Sequence, residues 1–183
     1  MSKLREEYGA EIGRILSQYP PGRQKSAVLP LMHLAQEVYG HMSQEAKEDV
    51  AAILGVDPTH VFSIAGFYTL YHEEPNGKVV LEVCNDLACS LRDRVQFDGK
   101  EFVDVVCEKL GVANHGTTDD GVFTVHNVMC IGACDRAPVL QANLKFHQNM
   151  NEAKLDEMLA TYRSQVASGT MPTPVVDRVI AHR

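Results

Sequence analysis

At 183 residues, with 17 basic against 24 acidic side chains, a formal charge of −7 and 45% hydrophobic residues, the chain can build a core without disulfide staples and is expected to form one domain or one domain with a small satellite. The acidic balance argues against a nucleic-acid reader, which presents basic faces. No apolar run approaches the ~20 residues of a transmembrane helix, and Met1-Ser2-Lys3-Leu4-Arg5-Glu6-Glu7 has neither the apolar core of a secretory signal nor the acid-poor character of a transit peptide. The expected compartment is therefore the cytoplasm, with no direct membrane insertion, and in that reducing setting five cysteines point to metal or redox chemistry rather than disulfides.

The first 75 residues read as helical. Leu4, Tyr8, Ile12, Ile15 and Leu16 form an apolar stripe at helical spacing, and Tyr19-Pro20-Pro21-Gly22 ends it. A second stripe runs through Ala27, Val28, Leu31, Leu34, Ala35 and Val38 to a C-cap at Gly40, with Pro30 in the first turns, where a missing N–H costs least. Ser43 is placed to cap a third helix that passes through Val50 and Leu54 and closes at Gly55. Asp57-Pro58 opens a fourth, carrying Val61, Ile64, Phe67 and Tyr68. Phe67, Tyr68 and Tyr71 exceed what a small bundle can readily hide, so they are expected to lie on a docking surface.

Beyond Pro75-Asn76-Gly77, a turn, the character changes. Val79-Val80-Leu81-Glu82-Val83 reads as a strand. A helical region follows, clearest at Phe102, Val105, Val106, Lys109 and Leu110, and ends at Gly111. Asn114 to Gly121 is polar loop, and Val122-Phe123-Thr124-Val125 is a second strand. Pro138–Gln141 and Lys145–His147 predict a hairpin around Asn143, and Asn151 caps a last helix with Leu155, Met158, Leu159 and Tyr162. The order strand–helix–strand–strand–strand–helix implies a small α/β layer of thioredoxin type. The chain thus divides into an N-terminal helical bundle (1–75), an α/β domain (76–165) and an extended tail (166–183) that holds Pro172 and Pro174. The fold class is α+β with an α/β second part.

The cysteine spacing is Cys84-x4-Cys89, then Cys130-x3-Cys134, and each pair directly follows a predicted strand. Neighbouring parallel strands end on the same side of a sheet, so both pairs are expected to meet there. Four thiolates from two adjacent loops suit a 2Fe-2S cluster, each loop serving one iron. Small and polar neighbours, Asn85, Asp86, Ala88 and Ser90 in one loop and Gly132 and Ala133 in the other, let backbone N–H groups approach the sulfurs. Zinc on the same four cysteines is the rival, although a four-residue spacer is at the margin of zinc-site spacing. A plant-type ferredoxin needs a further cysteine where this chain has Arg92, and no C-x2-C pair offers a thioredoxin-like dithiol. Cys107 lies among helical apolar residues and reads as a buried core residue.

These residues carry a resemblance. Tyr19-Pro20-Pro21 with Ala27-Val28-Leu29-Pro30-Leu31, Ile64-Ala65-Gly66-Phe67-Tyr68, the Cys84/Cys89 pair, and Val128-Met129-Cys130-Ile131-Gly132-Ala133-Cys134 leading to Ala137-Pro138 occur in one order over roughly residues 10 to 165. In these strings the chain resembles the NuoE-type subunits of NADH:quinone oxidoreductase, respiratory complex I, which are thioredoxin-like 2Fe-2S ferredoxins. The resemblance implies a helical N-terminal part, a ferredoxin domain and one 2Fe-2S cluster on Cys84, Cys89, Cys130 and Cys134. It implies a partner, the NuoF-type flavoprotein subunit that binds FMN and NADH, and a location on the inner face of a bacterial plasma membrane through the complex. Related subunits serve NAD-linked hydrogenases and formate dehydrogenases, and a free thioredoxin-like ferredoxin is the remaining alternative. The chain departs from the family's usual threonine in the first cysteine loop, where it has Asn85-Asp86-Leu87-Ala88, and Gln96-Phe97-Asp98-Gly99-Lys100 reads as a short insertion that interrupts the helix after Cys89.

Nothing else in the sequence carries chemistry. The eight histidines form no H-x3-H or H-E-x2-H pair, and His126 reads as a surface or core residue. No glycine-rich nucleotide loop and no nucleophilic triad is present, so the chain is expected to have no catalytic site of its own and to work as an electron-transfer subunit.

Overall fold

The computed structural model describes residues 3–170, which fall into two compact units, 3–75 and 76–170. The first is all helical: α1 (Lys3–Ser17), α2 (Val28–Tyr39) behind a 3-10 turn at Gln24–Ala27, α3 (Gln44–Leu54) and α4 (Pro58–Phe67). The caps follow the local sequence. The Ser43 hydroxyl accepts the Ala46 N–H at 3.1 Å and the Asp57 carboxylate accepts the Thr59 N–H at 2.9 Å, while Gly40 ends α2 at φ +81°, where a side chain would be strained. Leu4, Ile15, Leu31, Met32, Met42, Val50 and Val61 are fully buried and form this unit's core. Lys47 is also buried; it pairs with Glu73, and its ammonium lies over the Phe62 ring, 4.6 Å from the centroid.

Two details of this unit differ from the sequence reading. Tyr8 breaks the helical backbone of α1 (φ −125°, ψ 24°) and is exposed, so the buried face of α1 is Leu4, Ile12 and Ile15. Tyr71 is not a surface residue: it is 4% exposed, and its hydroxyl donates to the Leu29 carbonyl at 3.0 Å. Once that hydroxyl has a partner, the ring can be buried like any other. Phe67, 77% exposed, and Tyr68 do remain on the surface.

The second unit runs β1 (Val79–Cys84), α5 (Leu87–Gln96), α6 (Phe102–Leu110), β2 (Phe123–Val128), β3 (Leu140–Ala142), β4 (Lys145–His147) and α7 (Glu152–Ser168). The sheet order is β2-β1-β3-β4. β1 and β2 are parallel, in register from Val79↔Phe123 to Cys84↔Val128, and β3 is antiparallel to both β1 and β4. Parallel neighbours need a long crossover, here the pair α5–α6. Phe102, Phe123, Leu81, Leu140 and Leu155 are fully buried between the sheet and the helices α6 and α7. The chain enters β1 through Gly77, where a Cβ would lie 2.9 Å from the Val122 carbonyl oxygen, so only glycine fits so close to the neighbouring strand.

The interruption read at Gln96–Lys100 divides the helical region after β1 into two helices, α5 and α6. The chain turns between them at Asp98 and Gly99, both at positive φ, and the Phe97 and Phe102 rings stack across the turn at 4.9 Å. The predicted polar loop is more ordered than its composition suggests. His115, Gly116 and Thr118 hydrogen-bond the backbone of Val125 and Phe123 and so cover the outer edge of β2, which blunts an otherwise open strand edge. The hairpin turns on Asn143 and Leu144, both at positive φ, and Asn143 also caps β1, its side-chain oxygen accepting the Val80 N–H at 2.8 Å. α7 runs on to Ser168 and is ended by Gly169, so 166–168 are helical rather than extended. Pro172 and Pro174 lie outside the described residues.

Glu82 occupies the central strand opposite His126 on one side and Gln141 on the other, and is 5% exposed. Burial pushes its carboxyl up to about 7 from an ordinary 4.5. Because the folded protein holds this proton more tightly than the unfolded chain, the stabilisation is complete below about pH 4.5 and is lost as pH rises through about 7. Urea denaturation across that window should show stability falling by a few kcal/mol, and Glu82→Gln should flatten that slope.

Candidate metal centre

The parallel pairing of β1 and β2 decides what can meet at their C-terminal ends. Cys84 is the last residue of β1; its N–H donates to the Val139 carbonyl at 3.2 Å, and the next N–H, of Asn85, donates to the Val128 carbonyl at 3.0 Å. Five residues on, Cys89 sits in the first turn of α5 on its buried side. Cys130 follows β2 by two residues, and Cys134 opens a 3-10 turn that runs to Arg136. Gly132, at φ +82°, turns the backbone between them so that its N–H donates to the Cys130 sulfur at 3.4 Å.

The four cysteines therefore lie as two pairs of different character. Cys84 and Cys89 are 3% and 2% exposed and form a small apolar cluster with Val139. Ile131, Ala133 and Ala137 of the second loop pack onto that cluster. Cys130 and Cys134 are exposed, with their sulfurs 3.3 Å apart. None of the five cysteines is in a disulfide.

The electrostatics hold Cys89 and Cys134 in their neutral thiol form. Burial pushes the Cys89 thiol up to about 12; the neighbouring Cys84 adds to the shift, and a hydrogen bond from the Val139 backbone opposes it. Cys134 is raised first by its hydrogen bond with Cys130 and the charge there, and further by Cys84 and Asp86. A site that resists thiolate formation alone but gathers sulfurs is one a metal core would complete, since a bound metal deprotonates its thiols outright. Ile131 and Ala133, the neighbours of Cys130 and Cys134, pack against Cys84 and Cys89, so the two pairs lie on adjoining loops. Among the described residues no three His, Cys, Asp or Glu side chains close on a point that one ion could fill. The donors come two by two, which fits a binuclear group with one pair per metal better than a single tetrahedral zinc. Cys84, Cys89, Cys130 and Cys134 are the residues that could hold it, and the backbone N–H groups of Gly132 and Val139 already point at sulfurs.

Cys107 is half-buried at the rim of the domain core, not within it, because α6 turns that side toward the surface. His126 pairs instead with His115, their Nδ1 atoms 2.7 Å apart, and its Nε2 lies 3.1 Å from the Asn76 side-chain oxygen. The sequence reading missed Val139 and Ile131, whose contributions to the cysteine pocket come through a backbone N–H and an apolar contact and leave no spacing signature.

A mixed four-strand sheet with a helical crossover and two cysteine pairs at one end defines a thioredoxin-like domain built to carry a metal group. Residues 12–163 match the family described as thioredoxin-like 2Fe-2S ferredoxin, and the chain belongs to that family. It is 39% identical over 162 residues to an NADH-quinone oxidoreductase subunit of Rhizobium meliloti, covering 88% of this chain and 89% of that one. It is 35% identical over 149 residues to an NADH-quinone oxidoreductase subunit of Thermus thermophilus, covering 81% and 80%. Among solved structures, an NAD+-reducing NiFe hydrogenase in its air-oxidised state has the same fold over 78% of this chain, with a TM-score of 0.60 and 15% identity; the chain spans 24% of that hydrogenase chain.

Exposure alone should separate the two pairs chemically. In the metal-free protein, alkylation followed by peptide mass analysis should label Cys130 and Cys134 rapidly, and Cys84 and Cys89 only after denaturation.

Proposed function

We propose that this chain is an electron-transfer subunit of an NADH-quinone oxidoreductase, holding one 2Fe-2S cluster on Cys84, Cys89, Cys130 and Cys134. In this reading it exchanges electrons with the FMN of a NuoF-type flavoprotein subunit that binds NADH. The observation that carries the reading is the pairing of the four thiols at the shared end of two parallel strands. The relatives named NADH-quinone oxidoreductase subunits, similar over more than four-fifths of both chains in Rhizobium meliloti, support the quinone-linked complex over the hydrogenase, whose likeness is one of fold.

When bound, the cluster supplies a one-electron carrier. The chain's own residues do the rest. Cys84 and Cys89 would anchor one metal from inside the domain, where Val139, Ile131 and Ala133 exclude water. Cys130 and Cys134, which are exposed, would hold the other at the surface, where a partner can approach. Neither FMN nor NADH has a recognisable loop in this sequence, so both belong to the partner. No described helix is long and apolar enough to cross a membrane, which is compatible with a peripheral position on the cytoplasmic face of a bacterial membrane through the complex. The exposed Phe67 and Tyr68 of the helical unit offer a docking surface.

Two measurements test this. Anaerobically purified protein should contain two irons and two labile sulfides per chain; serine at any of the four positions should weaken or abolish the visible spectrum, and Cys107→Ser should leave it intact. Stoichiometric zinc in a colourless protein overturns the assignment. Separately, removal of residues 1–75 should abolish association with the flavoprotein yet leave the spectrum nearly unchanged, because no ligand lies there; full co-purification of the truncated chain would show that the helical unit is not the docking element.

A further inference from the structure

α5 buries two side chains, Cys89 and, one helical turn later, Asp93. Asp93 is 1% exposed. Its Oδ2 accepts the Phe102 N–H at 3.0 Å and so caps α6. Its Oδ1 is equally buried and has no hydrogen-bond partner. A buried carboxylate is ordinarily paired, yet the charge that acts on this one is another acid, Glu101. Burial raises the carboxyl to about 6, which leaves it ionised in mildly alkaline solution. Its charge is felt at Cys89, where it adds to the effects of burial and of Cys84 on the thiol.

Capping α6 needs one oxygen and no charge; asparagine would serve as well. The second oxygen and the unpaired negative charge are left over, and they lie in a poorly screened interior one turn from a cluster ligand. We propose that Asp93 sets the reduction potential of the cluster on Cys89: its fixed negative charge disfavours the added electron and holds the potential low. This rests on the cluster reading above. In the step concerned one electron passes from a reduced flavin to the oxidised cluster, and no bond forms or breaks. Asp93 is a positioning residue: it places a charge beside Cys89 and does not ligate metal.

The test is a redox titration of the full chain, purified anaerobically and followed by electron paramagnetic resonance at about pH 8, where the carboxylate is ionised. Asp93→Asn keeps the shape and the acceptor for the Phe102 N–H and removes only the charge. It should shift the midpoint upward while iron content and the resonance line shape stay as in the wild type; a purely structural cap would leave the midpoint where it was. Asp93→Glu, which retains the charge, should stay near the wild-type midpoint. Asp93→Ala should shift the midpoint upward and also lower the melting temperature. If Asp93→Asn takes up less iron, Asp93→Ser, uncharged and still an acceptor, replaces it. An iron-loaded neutral variant with an unchanged midpoint, or a Glu variant shifted as far as Ala, overturns the proposal and leaves the cluster assignment standing. A wild-type chain without iron overturns both.

Discussion

The metal end of this chain depends on the parallel ladder between β1 and β2. Its register, Val79↔Phe123 through Cys84↔Val128, delivers two loops at the same end of the sheet. An antiparallel pairing of the same strands would send those loops to opposite ends. Parallel pairing requires a crossover, and α5–α6 supplies it while burying Phe97, Phe102 and Val106 against the strands. A slip of one residue would turn Cys84 to the opposite face and bring Val83 in its place. Leu81, Val83, Phe123 and Val125, all fully buried on the face that packs against the helices, fix the register against such a slip.

The same sheet explains why polar groups are buried beside the site. The face that ends in Cys84 also carries Glu82, beside Thr124 and His126 on β2 and Gln141 on β3. It is polar where the other face is a continuous apolar core. β1 is therefore apolar on one side only, and burial of its polar side raises the Glu82 carboxyl toward neutrality. Asp93 is the equivalent on α5, below Cys89, with its charge only half satisfied by the α6 cap.

Elements with strong local signals were legible in the sequence. The caps at Ser43, Asp57 and Asn151, the glycine stops at Gly40, Gly55 and Gly111, and the turn at Asn143 all mark real ends. So did the placement of each cysteine pair after a strand, although Cys84 proves to be the final strand residue itself. What stayed hidden depends on contacts distant in sequence. The edge of β2 is covered by a loop whose polar composition announced only a loop. Tyr71 counted as surplus apolar area until its hydroxyl found the Leu29 carbonyl, 42 residues away. The Phe97–Phe102 stack turns what reads as an interruption into the joint between two helices.

The asymmetry of the cysteine pairs has an energetic meaning. Cys84 and Cys89 are held by a strand end, a helix turn and an apolar cluster, so the fold positions them without help. Cys130 and Cys134 belong to a surface loop tied by the Gly132 N–H on the Cys130 sulfur, the Arg136 N–H on the Ala133 carbonyl, the Asn149 N–H on the Arg136 carbonyl, the Arg136 guanidinium on the Gln148 side chain, and the contact of Ile131, Ala133 and Ala137 with the buried pair. Binding energy at such a site is partly folding energy, and it falls on the less constrained half. A metal group held by both pairs would join the loop to the end of β1 and replace the proton-sharing contact with Cys130 that raises Cys134. On the proposed assignment, the buried pair would set where the group sits, and the exposed pair would be the half whose order depends on the group.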